Sequence, residues 1–172
     1  MSELRSPDSV AGFTLTELVM VLAVVAIISA IAVSRMSNDP LLVATQAEQL
    51  ATDIRYVQSL AMTQAATAPA QARYRINFVS TSTYTLTMAD GTAVPHPVTG
   101  SAAATGLSSG VTMTLPPTNL GNSLLGFDGR GIPYTDAPVS VLLGATATIT
   151  LTKNAVTRSV TVAPETGLVR VP

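Results

Sequence analysis

From Leu18 to Ser34 the chain runs 17 residues without a charge, Leu-Val-Met-Val-Leu-Ala-Val-Val-Ala-Ile-Ile-Ser-Ala-Ile-Ala-Val-Ser, between Glu17 and Arg35. A helix that is apolar on every side belongs in a membrane or a protein core. Seventeen residues stand at the lower limit for a spanning helix. Counting from Phe13 lengthens the stretch to 22 residues, enough at about 1.5 Å per residue to cross a ~30 Å hydrocarbon core. Glu17 then lies inside it. A carboxylate at mid-bilayer costs about 2.5–3.5 kcal/mol, and less near the interface. Such a residue is a functional candidate by default.

Composition removes most chemistry. Among 172 residues there is no Cys and a single His, which excludes disulfide scaffolds, Cys zinc sites, thiol nucleophiles and multi-His metal sites. Charged residues make up only 11% and Lys+Arg (9) is balanced by Asp+Glu (10), so the basic field of a nucleic-acid binder is missing. With 47% hydrophobic residues the chain is not a disordered tail.

Three readings fit the apolar segment. It is a signal anchor with Glu17 near the headgroups, or a secretory signal peptide, since Ala30-Ile31-Ala32 fits a small-x-small cleavage pattern that would release a soluble domain from Val33. Against the latter, Arg5 is the sole basic residue ahead of the segment and is opposed by Glu3 and Asp8. The third reading takes Ala11-Gly12-Phe13-Thr14-Leu15-Thr16-Glu17-Leu18 as a unit. It resembles the prepilin signature of type IV pilins and type II secretion pseudopilins. The resemblance implies cleavage between Gly12 and Phe13 by prepilin peptidase, N-methylation of Phe13, and an assembly role for Glu17. It also implies other pilins or pseudopilins, the inner membrane and an assembly platform as partners, and no cofactor or metal. The weakly basic leader departs from the family pattern. The physics is independent of the name. The amine freed at Phe13 is a cation one helical turn before the Glu17 carboxylate. In a bundle a neighbour's amine can neutralise Glu17 where unpaired charges are costly. The best register is the one where amine meets carboxylate.

A second helix is expected from Pro40, with Asp39 as N-cap and Pro40 at the first helical position. Apolar residues at Val43, Ala47, Leu50, Ile54, Val57 and Ala61 mark one face. Glu48, Gln49, Thr52, Asp53, Arg55 and Gln58 are assigned to the other. The helix should fade near Thr67, before Pro69, and could join the first helix through a kink between Ser34 and Asp39. Alternation of Tyr74, Ile76 and Phe78 with polar residues, and of Tyr84, Leu86 and Met88 with threonines, predicts two strands joined at Ser80-Thr81-Ser82. Further strands are expected at Val111–Leu115, Leu124–Asp128, Val139–Leu143, Ala147–Thr152, Ser159–Ala163 and Leu168–Val171. No helical pattern follows Thr67, so the sheet should be largely antiparallel. Residues 92–110 read as a long variable loop. The fold class is α+β: a long N-terminal helix, half apolar and half amphipathic, packed on an antiparallel sheet, as the pilin resemblance also implies. The divisions are residues 1–12, 13–35, 36–68 and 69–172.

Beyond Leu18 the resemblance narrows to H-type pseudopilins of type II secretion and FimT-like minor pilins. The residues that carry it are Leu50–Ala61, Phe127-Asp128-Gly129-Arg130-Gly131 and the closing Arg158–Val171 segment. His96, between two prolines, reads as a solvated loop residue. Gly126–Gly131 lacks the Lys-Ser/Thr ending of a phosphate loop and reads as a tight turn. Serines and threonines have no base with an orienting acid, so no enzyme is expected. Arg73, Arg75 and Arg130 are the candidate nucleic-acid contacts. Loss of residues 1–12 removes Arg5, Glu3 and Asp8 and leaves eight basic and eight acidic side chains, a balance that does not support DNA as a partner.

Overall fold

The structure is a computed structural model that describes residues 12–35, 38–64, 74–108, 110–136 and 140–172. The chain divides after Ser37 into two compact units. The first holds helix α1, Leu15–Arg35. The second holds helix α2, Asp39–Gln64, and, among the described residues, nine strands. Residues 36–37 of the expected junction between Ser34 and Asp39, and the end of the second helix near Thr67, lie outside the described residues.

All six residues of the predicted apolar stripe of α2 are buried. Its start differs from expectation. The Asn38 carbonyl accepts the Leu42 N–H at 2.9 Å, which places Asn38 at the cap. Asp39 instead reaches across to the turn between β7 and β8, where it accepts from Asn154 (2.6 Å) and pairs with Lys153 (3.2 Å).

The strands are β1 Tyr74–Ser80, β2 Thr83–Met88, β3 Thr105–Gly106, β4 Thr112–Met113, β5 Leu124–Phe127, β6 Pro133–Tyr134, β7 Ala147–Lys153, β8 Val156–Val162 and β9 Val169–Arg170. They form two sheets where one was expected, in the orders β3-β2-β1-β5-β6 and β4-β7-β8-β9. Every pairing between named strands is antiparallel. Alternation in a sequence sets which face is buried and leaves the partner strand open, so it could not divide the strands between sheets. α2 packs on both, against β7, β8 and β9 of one and β1 and β5 of the other. The core lies in that layer: Leu50, Ile54, Ile76, Leu125, Phe127, Ile149 and Val160 are fully buried.

Three expectations need correction. Of the predicted Val139–Leu143 strand, the described part makes a single bridge, Leu142 to Tyr134. Residues 92–110 are not a free loop. Ala93 bridges Thr87, Val94 donates to the Leu86 carbonyl, and β3 pairs with β2, so the segment lines the outer edge of β2. Asp53 is 1% exposed, because it has polar partners inside, described next. A turn at Asp90-Gly91 ends β2, with the Gly91 N–H donating to the Met88 carbonyl at 3.0 Å and Gly91 at φ 91.

Candidate functional site

Gly12, Phe13 and Thr14 precede α1 as exposed, non-helical chain. Thr14 starts the helix: its Oγ1 accepts the Glu17 N–H at 3.3 Å and its carbonyl accepts that of Leu18 at 3.2 Å. This is half of a capping box, Thr-x-x-Glu, a signal legible at Thr14–Glu17 that composition and motif reading passed over. A Cβ built on Gly12 meets nothing within 4 Å. The packing of the described residues therefore does not demand a glycine there. Beyond Glu17, the acid of the first turn, the helix presents Leu18, Val19, Met20, Val21, Leu22, Val24, Val25, Ile27, Ile28 and Ile31 half-exposed or more. They lie on all its sides. Among the described residues no helix is long and apolar enough to cross a membrane.

The model of the prokaryotic N-terminal methylation motif matches residues 8–33. Over that stretch the chain is type IV pilin-like. The motif spans the Gly12–Phe13 junction and Glu17 together, and it implies processing by prepilin peptidase and assembly with other pilins. Comparison with curated proteins and with solved structures gives no match.

The second unit of the pilin-like chain holds polar residues that sequence reasoning misplaced. His96 is 2% exposed, not solvated. Its Nδ1 accepts the N–H groups of Val98 (3.2 Å) and Thr99 (3.3 Å). That assigns the proton to Nε2, which donates to Asp53 Oδ2 at 2.9 Å. The same oxygen accepts the Tyr84 hydroxyl at 2.5 Å. Burial, and then Asp53, push the Tyr84 hydroxyl well above the usual tyrosine range, so it stays a donor. The three groups have the composition of an acid–base cluster, yet all are sealed between α2, β2 and the 92–110 segment. They offer no atom to a substrate and act as an anchor. Gln46 adds a second tie, accepting the Ser108 N–H at 3.0 Å.

A further junction brings together the three segments Leu50–Ala61, Phe127–Gly131 and Arg158–Val171. Gln58 Nε2 donates to the Gly131 carbonyl (2.9 Å) and the Thr166 carbonyl (3.2 Å). Asp128 shapes the first turn by accepting from the N–H groups of Arg130 and Ile132, both at 2.9 Å. Of the candidate nucleic-acid contacts, Arg73 lies outside the described residues. Arg75 is on β1 and donates to Thr87 Oγ1 at 3.0 Å. Arg130 projects from the β5–β6 turn and pairs with Asp128 at 3.5 Å. Among the described residues no group of three or more His, Cys, Asp or Glu could hold a metal.

Proposed function

We propose that the chain is a minor pilin-like structural subunit of a type II secretion pseudopilus or a type IV pilus, and not an enzyme. Prepilin peptidase cuts after Gly12, Phe13 is N-methylated, and the 22-residue stretch from Phe13 to Ser34 anchors the subunit in the inner membrane with its C-terminal domain periplasmic until the filament takes it up. The observation that carries this reading is the exposed Gly12–Phe13 junction two residues ahead of a helix that no described residue of its own unit covers. Burying one Leu, Ile or Val side chain is worth about 1.5–3 kcal/mol, so a row of them must be covered by lipid or by neighbouring helices. Gly12 fits the same reading: its missing side chain serves a partner's cleft, since no described residue crowds it. A DNA-receptor role is the weaker alternative, because Arg75 and Arg130 are engaged by groups of their own chain. A secreted β-domain released after Ala32 would leave the Gly12–Glu17 pattern unused.

The test is Glu17→Val. Removing the carboxylate eases insertion by up to about 2.5–3.5 kcal/mol if the site is mid-bilayer, so an anchor alone tolerates it. A registry role does not, because a neighbour's Phe13 amine loses its partner. Membrane fraction and mature mass should be unchanged while copurification with partner pilins is lost. Normal copurification and normal piliation or secretion would remove the registry role.

A further inference from the structure

We propose that the outer edge of the five-stranded sheet, at Val141–Leu143, binds an extended peptide segment that carries a lysine or arginine. Past β6 the chain turns back alongside it. Thr135 donates its N–H to the Val141 carbonyl (2.9 Å) and Leu143 donates to the Pro133 carbonyl (3.0 Å). These bonds flank the antiparallel bridge between Tyr134 and Leu142. In that arrangement Tyr134 and Leu142 are the non-hydrogen-bonded pair, so the N–H and C=O of Leu142 point outward, away from β6. Neither has a partner among the described residues. An unpaired edge is a template for another strand unless charge or proline blunts it. Here the edge is Ser140-Val141-Leu142, uncharged, with Val141 and Leu142 each more than half exposed.

Beside this edge opens a cleft of about 310 Å³ lined by Ile132, Leu142, Leu143, Gly144, Pro164 and Glu165. It is apolar apart from Glu165, and its volume suits one or two side chains. The Glu165 carboxylate is exposed and has no ion pair among the described residues, whereas Asp39 and Asp128 each have one. Backbone pairing at Leu142 supplies affinity without selectivity. The cleft takes a side chain from the added strand, and Glu165 chooses its charge. A lysine or arginine can lay its aliphatic stem along Leu142, Leu143 and Pro164 and bring its cation to Glu165. A second copy paired edge to edge would present only Ser140-Val141-Leu142 and leave Glu165 unmatched, so a basic segment of another polypeptide is the better occupant.

Full-length protein in detergent micelles is titrated with two labelled, end-blocked octapeptides of alternating threonine and valine. They differ by a lysine or a glutamate at one central position. Fluorescence anisotropy should show the lysine peptide binding about tenfold tighter than the glutamate peptide, and hydrogen exchange at the Leu142 amide should slow. Glu165→Gln should narrow that ratio to within about twofold, and Leu142→Pro, which removes the outward donor, should weaken both peptides about tenfold or more. Equal affinities in the wild type, no binding of the lysine peptide at millimolar concentration, or unchanged binding in Leu142→Pro would overturn the proposal. A concentration-dependent dimer abolished by Leu142→Pro would overturn it in favour of a second copy.

Discussion

Replacing Gly167 with alanine should destabilise the second unit more than any other single methyl addition at a glycine. The residue sits at φ 64, where an L side chain costs roughly 1–2 kcal/mol. Its Cβ would stand 2.5 Å from Nε2 of Gln58, 2.6 Å from the Gly131 carbonyl oxygen and 3.1 Å from Cε1 of Phe127. Gln58 can swing aside only by giving up its bonds to Gly131 and Thr166, at about 0.5–1.5 kcal/mol each. The Gly131 oxygen belongs to the backbone and cannot move without its turn. Together these come to about 2–5 kcal/mol, a large share of a typical 5–15 kcal/mol. Gly131→Ala is milder despite its φ of 79, since the nearest atoms are the ends of Met62 and Gln58. All four tyrosines, Tyr56, Tyr74, Tyr84 and Tyr134, belong to the second unit, so tyrosine near-UV dichroism follows its unfolding without interference from α1. With a mid-range urea slope of about 2 kcal/mol per molar, the Gly167→Ala midpoint should fall by roughly 1–2.5 M. Gly121→Ala, where a Cβ meets nothing within 4 Å, is the control. A Gly167→Ala midpoint no lower than that of the control would refute the account of this junction.

Gly12→Ala should leave folding untouched and block maturation, while wild-type protein extracted from membranes has the intact mass of a chain beginning at N-methylated Phe13; a terminus at Val33 would refute this. His96→Ala leaves the buried Asp53 with Tyr84 as its sole partner of the two and should cost about 1–3 kcal/mol in denaturant unfolding, with faster hydrogen exchange at Val98 and Thr99. The full chain in detergent should show no submicromolar, salt-sensitive binding to duplex DNA by fluorescence anisotropy at physiological salt; such binding would point to Arg73, Arg75 or Arg130.

The α2 stripe was legible because its packing follows a single period, and each of Val43, Ala47, Leu50, Ile54, Val57 and Ala61 lies on it. The Gly12–Glu17 pattern was legible because it is local. Asp53 and His96 were not, because each alone looks like a surface residue. What buries them is their pairing across 43 positions, and a pattern read along the chain gives polar residues no long-range partners. Gln58 was misread for the same reason. Its two acceptors, Gly131 and Thr166, lie 73 and 108 residues away. The edge role of residues 92–110 was hidden by their composition. Small residues and prolines signal a loop, yet β2 gave this one a backbone to follow.

Protein termini are ordinarily slack, and a charge at a slack end averages over many positions. Cleavage after Gly12 would leave only Phe13 and Thr14 ahead of a helix already fastened by the Thr14 oxygen. The new amine would have almost no tether. Its position would be fixed by the rod behind it, in which each residue advances about 1.5 Å. A contact to that amine therefore measures the sliding of one subunit along another to about the rise of a single residue. An anchoring end with a floppy leader could not make that measurement, however strong its charge.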